Sequence, residues 1–173
     1  DGTRTQIDAW TSGKEPHAIT GRLASGSTYI YHEELAPEGY AYSEDIEFTM
    51  GADGNITAAH YINDNGETIL YDGEGFPTTI TVQVDGTYKD GETVVTISKG
   101  GDAIDAEGNV IAKGVKKDIP VMDNVVIMKD APTGVTIKKV DANTGEPLAG
   151  ALLQVIDQEG NTVVEWTTDA TGT

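Results

Sequence analysis

The chain has 173 residues, with 29 acidic against 11 basic side chains, a formal net charge of −18 and no cysteine. That balance argues against a nucleic-acid or anionic-membrane partner, which would need a basic footprint, and the lack of cysteine rules out a disulfide framework or thiolate metal site. The 21 glycines lie mainly between short apolar stretches, as expected when many turns join many strands.

Taken in chain order, period-2 alternation predicts strands over residues 27–33, 45–50, 78–84, 93–98, 121–130, 135–141, 151–157 and 162–167. Asp53-Gly54-Asn55, Asp85-Gly86, Glu107-Gly108-Asn109 and Glu159-Gly160-Asn161 read as turns in which Gly or Asn accepts a positive φ. No amphipathic helix of useful length stands out, and no segment has the length of a transmembrane helix, so membrane insertion is not expected. The pattern predicts an all-β chain, an Ig-like β-sandwich with a strand-rich insertion at about 57–118, where Asp, Gly and Thr dominate. Ala131-Pro132-Thr133 reads as a linker, since proline does not continue a central strand.

Alternation also singles out three ionisable residues. Tyr29, Tyr31 and Glu33 share one face; Val126, Met128 and Asp130 share another; Val135, Ile137 and Lys139 share a third. Each charged group is thus expected to point inward, where charge is costly unless paired or neutralised. A lysine, a glutamate and an aspartate in one apolar core can react. A neutral amine attacks the Asp130 carboxyl, a protonated Glu33 polarises that carbonyl and shuttles protons, and water leaves. The product is an isopeptide bond that restricts the unfolded chain as a disulfide does. The plainer readings are a surface lysine at Lys139, an ordinary ion pair at Glu33 beside Glu34, and a turn residue at Asp130, with Asn124 as the other carboxyl-type partner on that face.

Around these residues the sequence resembles the Cna B-type (SpaA-like, prealbumin-like) domains of Gram-positive surface proteins and pilins. Val135-Thr-Ile-Lys-Lys-Val-Asp141 with Thr144-Gly-Glu-Pro-Leu-Ala-Gly-Ala151 looks like the family's first strand and following loop. Tyr29-Ile-Tyr-His-Glu-Glu-Leu-Ala-Pro-Glu-Gly-Tyr40 looks like its glutamate box, and Val125-Val-Ile-Met-Lys-Asp-Ala-Pro-Thr133 like its last strand and exit linker. The resemblance implies a prealbumin-like sandwich, Lys139 as the amine, Glu33 as the catalytic acid and Asp130 as the carboxyl partner. It covers residues 1–56 and about 119–173, and it implies an extracellular place on the bacterial cell wall.

The order of the trio departs from the family, in which lysine comes first. Lys139 follows Asp130 by too few residues for the parallel crossover that first and last strands require, about a dozen. Residues 1–130 therefore read as the C-terminal part of one domain, 131–133 as the linker and 134–173 as the N-terminal part of the next. Reading Thr173 into Asp1 gives an uninterrupted stretch of one domain type, so the chain reads as a repeat unit whose Lys139 serves the following copy. A window across two unlike neighbouring domains and strand donation between separate chains are the other arrangements.

The expected partners are neighbouring copies or domains of the same protein, with a host protein or glycan as a further candidate through the insertion. No enzyme acting on external substrates and no cofactor are expected. Trp10 and Trp166 read as core residues. His17, His32 and His60 are scattered without zinc spacing, and Asn63-Asp-Asn-Gly-Glu67 reads as a turn rather than a calcium loop.

Overall fold

A computed structural model describes residues 4–173; the opening Asp1–Thr3 of the junction read from Thr173 into Asp1 lies outside the described residues. The chain divides into two compact units, Asp1–Pro132 and Thr133–Thr173. All regular structure among the described residues is β.

The first unit holds nine strands: β1 (Thr28–Tyr31), β2 (Asp45–Met50), β3 (Ile56–Ile62), β4 (Thr68–Tyr71), β5 (Pro77–Val82), β6 (Tyr88–Asp90), β7 (Thr93–Ile97), β8 (Ala103–Ile104) and β9 (Val110–Ala112). They form one antiparallel sheet in which every strand pairs with its neighbour in sequence. This meander follows from the turns. In Asn63–Glu67, Asp72–Phe76, Gln83–Thr87, Ser98–Asp102 and Asp105–Asn109 the first residue's N–H donates to the fifth residue's carbonyl. The fourth position is glycine each time. At Gly108, for example, φ is +89°, a conformation that closes the hairpin and that a Cβ would disfavour. An Asp or Asn at the first position accepts backbone N–H bonds, as Asp105 Oδ1 does from Glu107 (3.0 Å) and Asn109 (2.7 Å).

The sheet buries opposite faces in its two halves. A lateral row runs Tyr31–Ile46–Tyr61–Ile69 through the registers of β1 to β4. Ile46, Tyr61 and Ile69, with Ala59 and Tyr71, form one core against Phe48, Ile119, Val121, Val126 and Met128. In β4 the side chains alternate, so Leu70 faces the other way and joins Ile80, Val95, Ala103 and Val115 in a second core. The chain after β9 returns across the sheet, where Lys116 and Tyr71 exchange backbone hydrogen bonds (2.8 and 2.9 Å) and Ile119 N–H donates to Ala59 O (2.8 Å). Residues 57–118 thus share both sheet and core with their flanks.

The second unit is a hairpin, β10 (Leu152–Ile156) paired antiparallel with β11 (Thr162–Thr167), closed by the same kind of turn at Asp157–Asn161. The all-β class holds, and a large antiparallel sheet with a separate small one is consistent with a prealbumin-like β-sandwich.

Two expected strands do not form. Over 121–130, Asp123 and Asn124 take positive φ (54° and 60°) in a tight turn that leaves a single Met122–Val125 bridge. The residues beyond that turn keep their alternation without a ladder. Over 135–141 there is likewise no ladder, only a Val140–Pro147 bridge. Alternation shows which side chains share a face, whereas a strand also needs a hydrogen-bonding neighbour. The short β6, β8 and β9, each flanked by glycine turns, carry too few residues for alternation to mark them.

Candidate functional site

Glu33 lies just past β1 and continues the inward face of Tyr29 and Tyr31; it is half-buried, while Glu34 is exposed. Its Oε2 accepts a hydrogen bond from Ser43 N–H at 3.0 Å, which fixes the carboxylate against the segment entering β2. Asp130 ends the segment in which Val126, Met128 and Asp130 are half-buried and Ile127 and Lys129 exposed, the alternation expected from the sequence. Ala41 N–H donates to Ala131 O (2.8 Å), and Lys129 Nζ donates to Glu74 O (2.5 Å), so both neighbours of Asp130 are tethered.

The fold brings Glu33 and Asp130 together. Burial pushes the Asp130 carboxyl above its ordinary value, helped by the Glu33 charge and by a side-chain hydrogen bond to Glu33. Two ionised carboxylates repel, so the raised Asp130 carboxyl gives up its proton less readily than an isolated one. Around the pair stand two tyrosines. Burial raises the Tyr31 phenol, and the Asp130 and Glu33 charges add to the effect. Burial likewise raises Tyr61. Ser43 Oγ is buried near the Tyr61 phenol and, among the described residues, meets no hydrogen-bond partner of good geometry. The arrangement can hold a protonated, electrophilic carboxyl beside a second carboxyl able to move protons.

Lys139 lies in the second unit, where its side chain is exposed rather than inward-facing. Its backbone is fixed: its N–H donates to Gly172 O (2.8 Å) and its carbonyl accepts from Leu148 N–H (2.9 Å). Val135 and Ile137, on the same face by alternation, border a cavity of about 280 Å³ with Val155, Val164 and Trp166. A unit of this size buries too little apolar surface to enclose that face, which accounts for Val135 being 81% exposed.

Asn124 is not part of the pair. Its Oδ1 accepts from Ile56 N–H (2.9 Å) and its amide donates to Asn55 Oδ1 (3.0 Å), so it organises a turn. Each histidine lies beside one carboxylate: His17 with Asp8, His32 with Asp45, His60 with Glu47. Among the described residues no group of three or more His, Asp or Glu is placed to hold a metal ion. The sequence marked Tyr31 only as a neighbour on the Glu33 face and did not mark Ser43 or Tyr61, because their roles depend on cross-strand register and on the path of residues 40–44.

No curated protein and no solved structure matches the chain. The family model of the SpaA prealbumin-like fold domain matches residues 133–173. The match covers the stretch 135–151 on which the resemblance rests and coincides with the second unit; residues 29–40 and 125–132, which carry the rest of the resemblance, lie outside it.

Proposed function

We propose that the chain is a structural module of a bacterial cell-surface stalk, fibre or pilus-like adhesin, stabilised by a self-formed isopeptide bond between Lys139 and Asp130. The observation that carries this reading is the placement of Glu33 beside Asp130, whose carboxyl burial and the Glu33 charge raise above its ordinary value. The Lys139 amine, neutral when it attacks, forms an N–C bond to the Asp130 carboxyl carbon. The C–OH bond breaks, Glu33 carries the amine proton to the departing hydroxyl, and water leaves. In this reading the amine of one copy serves the carboxyl pair of the next, and the partners are successive copies or domains of the same protein. The module works outside the cell at the wall surface and acts on no external substrate. The match of residues 133–173 to a domain type found in surface proteins supports this placement.

Intact mass of the denatured native material beside a Lys139→Ala variant tests it. A deficit of one water per module that disappears in the variant is expected; a mass equal to that of the sequence in both sinks the cross-link. A deficit confined to multimers assigns the bond to separate chains.

A second reading, adhesion, has its own observation. A cavity of about 570 Å³ is lined by Phe76, Thr78, Asp90, Ile111 and Lys113 from the 57–118 region and by Tyr42, Glu44 and Lys129 from its flanks. Aromatic walls with charges of both signs suit a glycan or a segment of a host protein. Deleting 57–118 would remove most of β3 and all of β4 to β9, so the test is Phe76→Ala with Asp90→Asn. Loss of binding to host-cell glycans or matrix proteins supports adhesion, and unchanged binding excludes this cavity.

A further inference from the structure

The surroundings of the carboxyl pair include residues that form no strand. The segment before β1 folds on itself around Asp8, which pairs with His17 Nε2 at 3.2 Å and with Arg22 Nη1 at 3.3 Å. Arg22 also donates to Ile7 O at 3.2 Å. Its attachment to the sheet is aromatic. His17 stacks on Trp10 with centroids 4.3 Å apart and planes inclined by 11°. Trp10 in turn stacks on Tyr31 at 5.6 Å and 26°. Tyr31 is the first residue of the buried row Tyr31–Ile46–Tyr61–Ile69, and Glu33 is the next residue on its face.

We propose that residues 8–22 form a strap that closes the Glu33–Asp130 pair to bulk water, with Trp10 as the positioning residue that seats it on Tyr31. The role rests on reading the pair as the isopeptide acceptor. Amide formation there releases water, and hydrolysis is its reverse, so a dry carboxyl pair favours the bonded state. Tyr31 suits the contact because burial and both carboxylates oppose its ionisation, so Trp10 stacks on a neutral ring two residues before Glu33 on the same face. Asp8 is held below its ordinary value, chiefly by its hydrogen bond to His17, and is the anion around which the strap is tied. Trp10 is 39% exposed, so it covers the sheet as a lid would, without belonging to the core.

The test uses the full chain with Trp10→Ala and Trp10→Phe. One arm follows the Asp130 carboxyl by carbon NMR through a pH titration, in a Lys139→Ala background so that Asp130 stays free. The groups facing Asp130 are Glu33 and Tyr31 from the β1 side and Tyr61 from β3, and all three remain in every variant. The second arm follows the dehydrated species by mass over time with Lys139 present. Trp10→Ala is expected to bring the Asp130 midpoint down toward 3.8 and to slow dehydration by about tenfold or more, and Trp10→Phe is expected to restore both. An unshifted midpoint in Trp10→Ala, with the sheet's amide spectrum intact, overturns the strap. Dehydration that proceeds unchanged while the midpoint stays put leaves the isopeptide reading standing and removes the strap. A shifted midpoint with no dehydrated species in any variant does the opposite: the strap keeps its water-excluding role and the cross-link is lost.

Discussion

Glu33 stands beside Asp130, and burial together with the Glu33 charge pushes the Asp130 carboxyl above its ordinary range. One residue follows β1 and the other closes the segment returning over the sheet, so the pair exists only in the folded unit. An inward-facing carboxyl pair of this kind opposes folding at neutral pH unless something is gained from it. On the proposed function that gain is the reaction with an amine.

Replacing Glu33 by Gln tests the proton shuttle. The amide keeps the shape and the contact with Ser43 N–H but moves no proton. Formation of the dehydrated species in the Glu33→Gln variant should slow by about a hundredfold or more, with unchanged circular dichroism. An undiminished rate measured by intact mass would assign the proton transfer to another group.

The titrations pull in opposite directions. Asp85, Asp105 and Asp157 are held below 3.8, first by side-chain hydrogen bonds to Thr87, Asn109 and Asn161. Their stabilisation is present above about pH 4 and lost as pH falls through their folded values, because the unfolded chain then binds more protons. Asp130 is raised from 3.8 by burial and Glu33, and Glu44 from 4.5 by burial and by Asp64 and Asp45. Their contributions are fully present below those unfolded values and are lost as pH rises through the folded ones. Melting temperatures should therefore fall modestly below about pH 4. In uncross-linked material Asp130→Asn should raise the melting temperature at pH 7 and leave it nearly unchanged at pH 3. Equal effects at both pH values would contradict the raised carboxyl.

The opposed cores predict one transition. Ile46 is fully buried on one face and Ile80 is 2% exposed on the other. Truncating either to Ala should cost about 2–5 kcal/mol, and urea melts followed by Trp fluorescence and circular dichroism should shift together. A variant that melts one half of the sheet before the other would show that the seam at β4 does not couple them.

Asn124 separates structure from chemistry. Asn124→Ala removes the acceptor for Ile56 N–H and the donor to Asn55 Oδ1, and should cost about 1–2 kcal/mol. It should leave any mass deficit unchanged, since the proposed carboxyl partner is Asp130. Loss of the deficit in a folded Asn124→Ala protein would reverse that assignment.

Much of the site was legible because alternation is a local property. The half-buried, exposed, half-buried sequence of Met128, Lys129 and Asp130, and the choice of Glu33 over Glu34, follow from the two-residue period even where no ladder forms. The turns were legible for the same reason: Asp105, Gly108 and Asn109 satisfy their own backbone within five residues. The inward orientation assigned to Lys139 is not met within its unit, because enclosing that face needs more apolar surface than the unit can bury.

By itself the sequence determined the all-β class, the positions of the glycine turns and the faces on which Tyr31, Glu33 and Asp130 lie, all set by interactions between near neighbours. The tertiary structure alone decided that residues 57–118 belong to the same sheet as their flanks and that the sheet buries opposite faces on either side of β4. It also brought Glu33 to Asp130 and seated Trp10 on Tyr31. Those outcomes depend on strand register and on which segment returns over which face, and both are fixed by long-range packing that no local period encodes.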